Sequence, residues 1–252
     1  MGDTVTATNA AIQIHSLPKL DNPDPCHLHP AIPQGSCLFV APSASGKSTL
    51  IVNLILRRVF GVLVHYKRIL VFSPTVYSDS SWDMLSEDMY HPFKIKCADG
   101  RRRRTAEVIL DDAFSMEKLD KIMKDQGDIQ RNERPNTLII LDDWASELSN
   151  TPSMQRLAFR GRHMKLWLWL ATQLYRKVPR SLRVNVPYYI IFSVNSNELR
   201  TISEELAVGS VKEFEVMFRR CTAEDYGFLC VDMKRAPAKR FSCNFKKIDG
   251  YN

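Results

Sequence analysis

The chain alternates between short, wholly apolar runs and longer stretches whose apolar residues recur at helical spacing. Cys37-Leu38-Phe39-Val40-Ala41 is the first such run, and its composition suits a strand buried on both faces. A helix is expected from Lys47 to about Val59. Arg68 to Phe72 reads as a second strand, ended by Ser73-Pro74-Thr75, and Glu107 to Leu110 as another. Between 76 and 106 no period dominates; Arg101 to Arg104 follow Asp99-Gly100 and are expected in a solvated turn. Ser115 opens a helix that Asn132 to Pro135 break. Thr137 to Leu141 is an apolar strand. Asn150-Thr151-Pro152 then caps a helix carrying Met154, Leu157 and Ala158, with proline at its first position. Leu166 to Ala171 and Tyr188 to Val194 are further strands. Tyr226 to Val231 and Phe241 to Phe245 suggest a terminal hairpin.

Strands separated by helices predict an α/β fold with a mostly parallel sheet, covered by helices on both faces. The prolines at 18, 23, 25, 30 and 33 deny the first stretch both helix and central strand. Residues 1–34 are therefore expected to be an extension, and 35–252 the folded domain with a basic C-terminal hairpin region. The 252 residues suffice for one full core.

Within this frame, Ala41-Pro42-Ser43-Ala44-Ser45-Gly46-Lys47-Ser48-Thr49 has the spacing of a phosphate-binding loop, G-x-x-x-x-G-K-[ST], with alanine in the first glycine position. An apolar strand precedes it and a helix follows, as the chemistry demands. Small residues let backbone N–H groups converge on phosphate oxygens. Lys47 is expected to reach the β- and γ-phosphates of ATP, and Ser48 to offer its hydroxyl to Mg²⁺. The plainer alternative is a serine-rich turn, which the flanking strand and helix disfavour.

Thr137 to Leu141 ends in Asp142-Asp143, a Walker B arrangement. Asp142 is the expected Mg²⁺ holder and Asp143 the group that polarises an attacking water. Aspartate is one methylene shorter than the usual glutamate, so Glu147 stands as a second candidate. Two surface acids capping the next helix is the plainer reading. A strand lies in the sequence between the loop and the acids, the pattern expected of the additional-strand branch of P-loop ATPases. Leu166 to Ala171 ends in Thr172-Gln173, and Gln173 is placed to sense phosphate or orient water; capping a helix is its alternative. Arg160 and Arg162 close the helix after the acids. Two positions apart on a persisting helix they diverge by about 200°, so only one can face a given target.

The order of these motifs resembles the genome-packaging ATPases of large DNA viruses of the poxvirus type, virophages and Polinton-like elements, in the FtsK–HerA superfamily. The matching pieces are the Ala41 to Thr49 loop, Phe72-Ser73-Pro74-Thr75, Leu141-Asp142-Asp143, Gly161-Arg162-His163 and Ala171-Thr172-Gln173. The resemblance implies an ATP-hydrolysing motor that threads double-stranded DNA into a capsid as a homo-oligomeric ring. It favours Arg162 over Arg160 as the arginine acting on a neighbour's ATP. It also implies capsid or membrane-associated assembly proteins as partners, and a place at the host's site of virus assembly and in the virion. A P-loop kinase or phosphotransferase, and a nucleotide-gated assembly factor with little turnover, are the alternatives.

Charge agrees with a polyanionic partner. Lys plus Arg number 35 against 28 Asp plus Glu, a net +7. Arg176, Lys177, Arg180 and Arg183 follow Gln173, and Lys234, Arg235, Lys239, Arg240, Lys246 and Lys247 crowd the C-terminus. Either set could meet DNA phosphates without reading sequence. Six scattered cysteines without a CxxC pair predict reduced thiols in an intracellular compartment. Cys26, His27 and His29 form a small cluster that lacks a second metal-ligand pair. No basic segment leads into an apolar one at the N-terminus, so a secretory signal is not expected. Leu50 to Val64 is too short and too charged to span a bilayer.

Overall fold

The computed structural model describes residues 34–56, 66–85, 94–96, 102–104, 107–145, 147–148 and 151–248. The Cys26-His27-His29 cluster and the expected helix end near Val59 lie outside them. Cys37–Val40 (β1) leads through the loop into Lys47–Leu56 (α1), then Arg68–Phe72 (β2) and the short helix Ser80–Asp83 (α2). Lys94–Lys96 (β3) and Arg102–Arg104 (β4) pair antiparallel as a separate ribbon. Arg102–Arg104 thus form a strand where a solvated turn was expected.

Glu107–Asp111 (β5), Met116–Asp128 (α3), Thr137–Asp142 (β6), Pro152–Arg160 (α4) and Leu166–Thr172 (β7) follow. Ser115 caps α3 by accepting from Lys118 N, and Thr151 caps α4 by accepting from Met154 N. The chain continues through Arg180–Arg183 (α5), Tyr188–Phe192 (β8), Ser196–Leu206 (α6), Val211–Cys221 (α7), Phe228–Asp232 (β9), Phe241–Cys243 (β10) and Lys246–Lys247 (β11). α6 and α7 are not among the elements expected from the sequence.

The main sheet has nine strands in the order β11-β10-β9-β8-β1-β7-β6-β2-β5. Six of them, from β8 to β5, run parallel, and β9 and β10 add an antiparallel edge. Strand alternation divides the core in two. Cys37, Phe39, Ile69, Val71, Leu138 and Ile140 pack with Leu50, Ile51 and Leu54 of α1 and Trp82 of α2. Their neighbours Leu38, Val40, Leu70, Ile139 and Leu141 pack against α3, α4, α6 and α7 on the other face. Helices therefore cover both faces, as expected.

One expectation changes in its details. The strands between loop and acids in sequence, β2 and β5, lie beyond β6 in the sheet. The strand inserted between β1 and β6 is β7, which comes later in the chain. The additional-strand architecture stands, but β7 supplies it. No helix among the described residues is long and apolar enough to cross a membrane.

Candidate functional site

β1, β7 and β6 end side by side, with Val40 opposite Thr172 and Asp142 opposite Ala171. The C-terminal ends of parallel strands form the ligand crevice of such sheets. Here they open into a cleft of about 530 Å³, lined by residues 42–49, by Asp142 and Asp143, by Thr75, Ser78, Asp79 and Ser81, and by Tyr226.

Ala41 N donates to Thr172 O at 3.0 Å, extending the β1–β7 ladder by one residue. The left-handed residues of the loop are Ala44 at φ 58° and Gly46 at φ 83°. Ala41 is not among them, so the first glycine position needs no glycine here. Gly46 does. Its φ is positive, and an added Cβ would lie 3.0 Å from the ring of Tyr226. Among the described residues, no acceptor meets the backbone N–H of Ala44, Ser45 or Gly46. These donors stand at the N-terminus of α1, where partial positive charge favours an anion.

Lys47 is buried, and its Nζ lies 2.5 Å from Asp143 Oδ1 and 3.1 Å from Asp142 Oδ1. Asp142 Oδ2 accepts from Ser48 Oγ at 3.3 Å and from Ser73 Oγ at 3.2 Å. Oδ1 faces the Lys47 ammonium as an ion pair and has no hydrogen-bond partner among the described residues. A buried carboxylate with one unmatched oxygen, beside a serine hydroxyl, is a donor set that fits a hard divalent cation. In the sequence Ser73 stands out only as a member of Phe72-Ser73-Pro74-Thr75. Its hydroxyl fixes the Asp142 carboxylate and belongs to the site.

Burial holds the Asp142 carboxyl above the usual carboxylate range, and the Lys47 ammonium offsets this only in part. A raised folded-state value means that the folded protein holds the proton more tightly than the unfolded chain. Stability then falls as pH rises from the ordinary carboxylate range, around 4, through the raised value. Above that value the full cost is present. Asp142→Asn removes the charge, so the nucleotide-free variant should melt at a higher temperature than wild type at pH 7. The gain should vanish as pH falls to about 4. Paired melting curves across this range check the claim; a constant difference would show that desolvation is not its source.

Asp143 follows the end of β6 with φ 60°, a left-handed conformation that aspartate tolerates better than most residues. Its N–H donates to Ala171 O at 3.0 Å, and the turn aims its carboxylate into the cleft. Gln173 Nε2 donates to Asp143 Oδ2 at 3.5 Å. Lys47, Ser48, Asp142, Asp143 and Gln173 are therefore gathered at one point. Glu147, the second candidate, is exposed and does not line the cleft.

Arg160 and Arg162 are elsewhere. α4 ends at Arg160, and Gly161–Met164 form a 3-10 turn at the N-terminal end of β7, so the α-helical angle between the two arginines does not apply. A Cβ on Gly161 would lie 2.9 Å from Leu166 O. Buried Gln126 donates to Met164 O and Pro135 O, tying the turn to the start of β6. Six residue steps of β7 separate this turn from the cleft, about 20 Å at ~3.3 Å per residue. Neither arginine can reach this cleft within the chain.

The basic run after Gln173 is divided. Arg183 pairs with Glu205 at 2.9 Å and lies over the Tyr175 ring, with its side chain 11% exposed. Arg176 pairs with the buried Glu198. These two brace the segment; Lys177 and Arg180 are exposed and enter no ion pair among the described residues. At the C-terminus, Arg235 pairs with Asp232 and Lys234 lies over Tyr188.

A family model described as the poxvirus A32 protein matches residues 36–221. No curated protein sequence matches the chain. Solved structures with the same fold include B204, the DNA-packaging ATPase from Sulfolobus turreted icosahedral virus, at TM-score 0.59 and 17% identity, covering 84% of this chain and 97% of that one. They also include the genome packaging NTPase B204 from Sulfolobus turreted icosahedral virus 2 in complex with ATP-gammaS. That match has TM-score 0.58 and 18% identity, over 86% of this chain and 98% of that one. The complex of the same NTPase with AMPPCP matches at TM-score 0.56 and 17% identity, over 83% and 96%. The fold is that of a P-loop NTPase.

Proposed function

The chain belongs to the poxvirus A32 protein family, and from that membership and the cleft's geometry we propose that it is an ATP-hydrolysing motor that drives double-stranded viral DNA into a capsid. One observation carries the reading. β7 stands between the loop strand and the acid strand, and the residue that follows it, Gln173, lies against the second acid. A kinase of the simple P-loop type keeps those two strands adjacent. A nucleotide-gated scaffold would need no polar group trained on Asp143. The B204 structures of the same fold are described as a packaging NTPase and a DNA-packaging ATPase, which supports the reading.

In this mechanism the N–H groups of Ala44, Ser45 and Gly46 in the Ala41 to Thr49 loop hold the phosphates and Lys47 contacts the β- and γ-phosphates. Ser48 and Asp142, fixed by Ser73, would hold Mg²⁺, which neutralises phosphate charge when bound. Lys47 and Asp143 are in contact at 2.5 Å. An arriving γ-phosphate competes for that ammonium and releases Asp143 to accept a proton from the attacking water. Gln173, on Asp143's other oxygen, orients the water and registers loss of phosphate. Arg162 acts on the ATP of an adjacent subunit in a homo-oligomeric ring. Lys177 and Arg180 sit just beyond Gln173, so movement of the glutamine shifts charges that grip the DNA backbone. Capsid or membrane-associated assembly proteins are the partners at the site of virus assembly.

The test is the hydrolysis rate with and without double-stranded DNA of mixed sequence, over a range of salt. DNA should raise the rate several-fold at low salt, with the stimulation fading as salt rises. A rate indifferent to DNA at every salt concentration would sink the motor reading.

A further inference from the structure

Tyr226 is left unexplained by hydrolysis. Its ring is 65% exposed, although it is a large aromatic. Among the described residues it is the one aromatic that lines the cleft. Its backbone is left-handed, at φ 61°, a conformation that costs a non-glycine residue on the order of 1 kcal/mol. The turn around it is fixed. Gly227 N donates to Glu224 O at 3.0 Å, and a Cβ on Gly227 would lie 2.6 Å from Cys221 O. The phenol has no hydrogen-bond partner among the described residues. The fold thus holds an exposed ring over the phosphate loop, 3.0 Å from where a Gly46 Cβ would be.

Sheet order gives this position its meaning. β9 begins at Phe228, opposite Phe192 at the C-terminal end of β8. β8 flanks β1 on the side away from β7. The cleft therefore has two distinct ends across the loop. Gln173, Asp143 and Asp142 stand at the β7 and β6 end, and Tyr226 stands at the β8 and β9 end. A nucleotide whose terminal phosphate meets Asp143 and Gln173 directs its other end across Gly46 towards Tyr226. Among the described residues, the rest of the lining holds no second ring.

We propose that Tyr226 is the base-binding residue of the cleft, holding the purine of the nucleotide by stacking on its exposed ring. This rests on the cleft being the nucleotide site. Stacking needs the π-face and not the hydroxyl. Four proteins separate the possibilities: wild type, Tyr226→Phe, Tyr226→Ala and Tyr226→Gly. The glycine variant removes the ring and relieves the left-handed strain, so it folds even if alanine does not. The probes are ATP, inorganic tripolyphosphate and 2-aminopurine riboside triphosphate, each with Mg²⁺. Loss of the ring should raise the Kd for ATP about tenfold, a typical cost for one base–aromatic stack. The Kd for tripolyphosphate should stay within twofold in all four proteins. 2-Aminopurine fluorescence should be quenched by wild type and Tyr226→Phe and not by the other two. If tripolyphosphate weakens as much as ATP, Tyr226 merely shapes the loop through Gly46 and the proposal falls. An ATP Kd that ignores the ring overturns it equally. Wild type that binds neither ATP nor tripolyphosphate would instead refute the nucleotide site itself.

Discussion

Lys47→Ala should abolish ATP hydrolysis and, without nucleotide, lower the melting temperature, two effects with one cause. The ammonium lies between two carboxylates, at 2.5 Å from Asp143 and 3.1 Å from Asp142, and its side chain is 7% exposed. In the proposed turnover it is the fixed positive charge that meets the transferring phosphate. Removing one preorganised charge-stabilising donor costs about 10²–10³-fold in rate. In the nucleotide-free fold the same removal strands the buried Asp142 carboxylate with only the Ser48 and Ser73 hydroxyls for company. Breaking a buried pair from one side costs about 3–5 kcal/mol. The double variant Lys47→Ala/Asp142→Asn should recover most of that stability and none of the activity. Thermal melting beside a phosphate-release assay reads both effects. A Lys47→Ala protein as stable as wild type would mean that Asp142 is better solvated than its burial indicates.

The chemistry of the cleft was legible in the sequence because phosphate binding leaves few alternatives. A loop of small residues between an apolar strand and a helix, and two acids after another apolar strand, point to Lys47, Ser48, Asp142 and Asp143, and the fold brings these four together. Gln173 was legible for the same reason, since it closes the run that became β7. Other features depended on contacts distant in sequence. Ser73 and Asp142 are 69 residues apart, and nothing local announces their hydrogen bond. The insertion of β7 between β1 and β6 is a matter of sheet order, which strand composition does not encode. Arg183 reads as a DNA contact in the sequence because its partner Glu205 lies on α6, a helix the strand pattern does not announce. That helix and the next did carry a signal. Leu199, Ile202 and Leu206, then Phe214, Met217, Phe218 and Cys221, recur at helical spacing and are all buried. Abundant charged residues on their wet faces masked it. Tyr226 had no signal: a single aromatic before a strand is ordinary until the fold sets it over Gly46.

Arg162→Ala should lose DNA-stimulated hydrolysis while keeping its affinity for ATP, and the loss should be repairable by a second inactive protein. The expectation follows from topology. Arg162 stands at the N-terminal end of β7 and the phosphate loop faces the C-terminal end, about 20 Å away at ~3.3 Å per residue. The length of a strand of the central sheet lies between them, so within one subunit the guanidinium has no path to the γ-phosphate. If it stabilises charge on that phosphate, it does so across a subunit boundary, and arginines of this kind contribute about 10³–10⁵ in rate. Lys47→Ala has an intact arginine but a dead loop, whereas Arg162→Ala has an intact loop but no arginine. Mixed in one ring, a Lys47→Ala subunit next to an Arg162→Ala subunit forms one complete site at their shared boundary. The mixture should therefore hydrolyse ATP when neither variant does alone, with the rate peaking near equal proportions. Arg160→Ala, on the same turn, serves as the control and should retain turnover. If the mixture stays inactive although the two variants assemble together, Arg162 serves the turn or the DNA rather than the neighbour's phosphate. If Arg160→Ala proves to be the inactive variant that complements, the roles of the two arginines are exchanged and the trans-acting site survives.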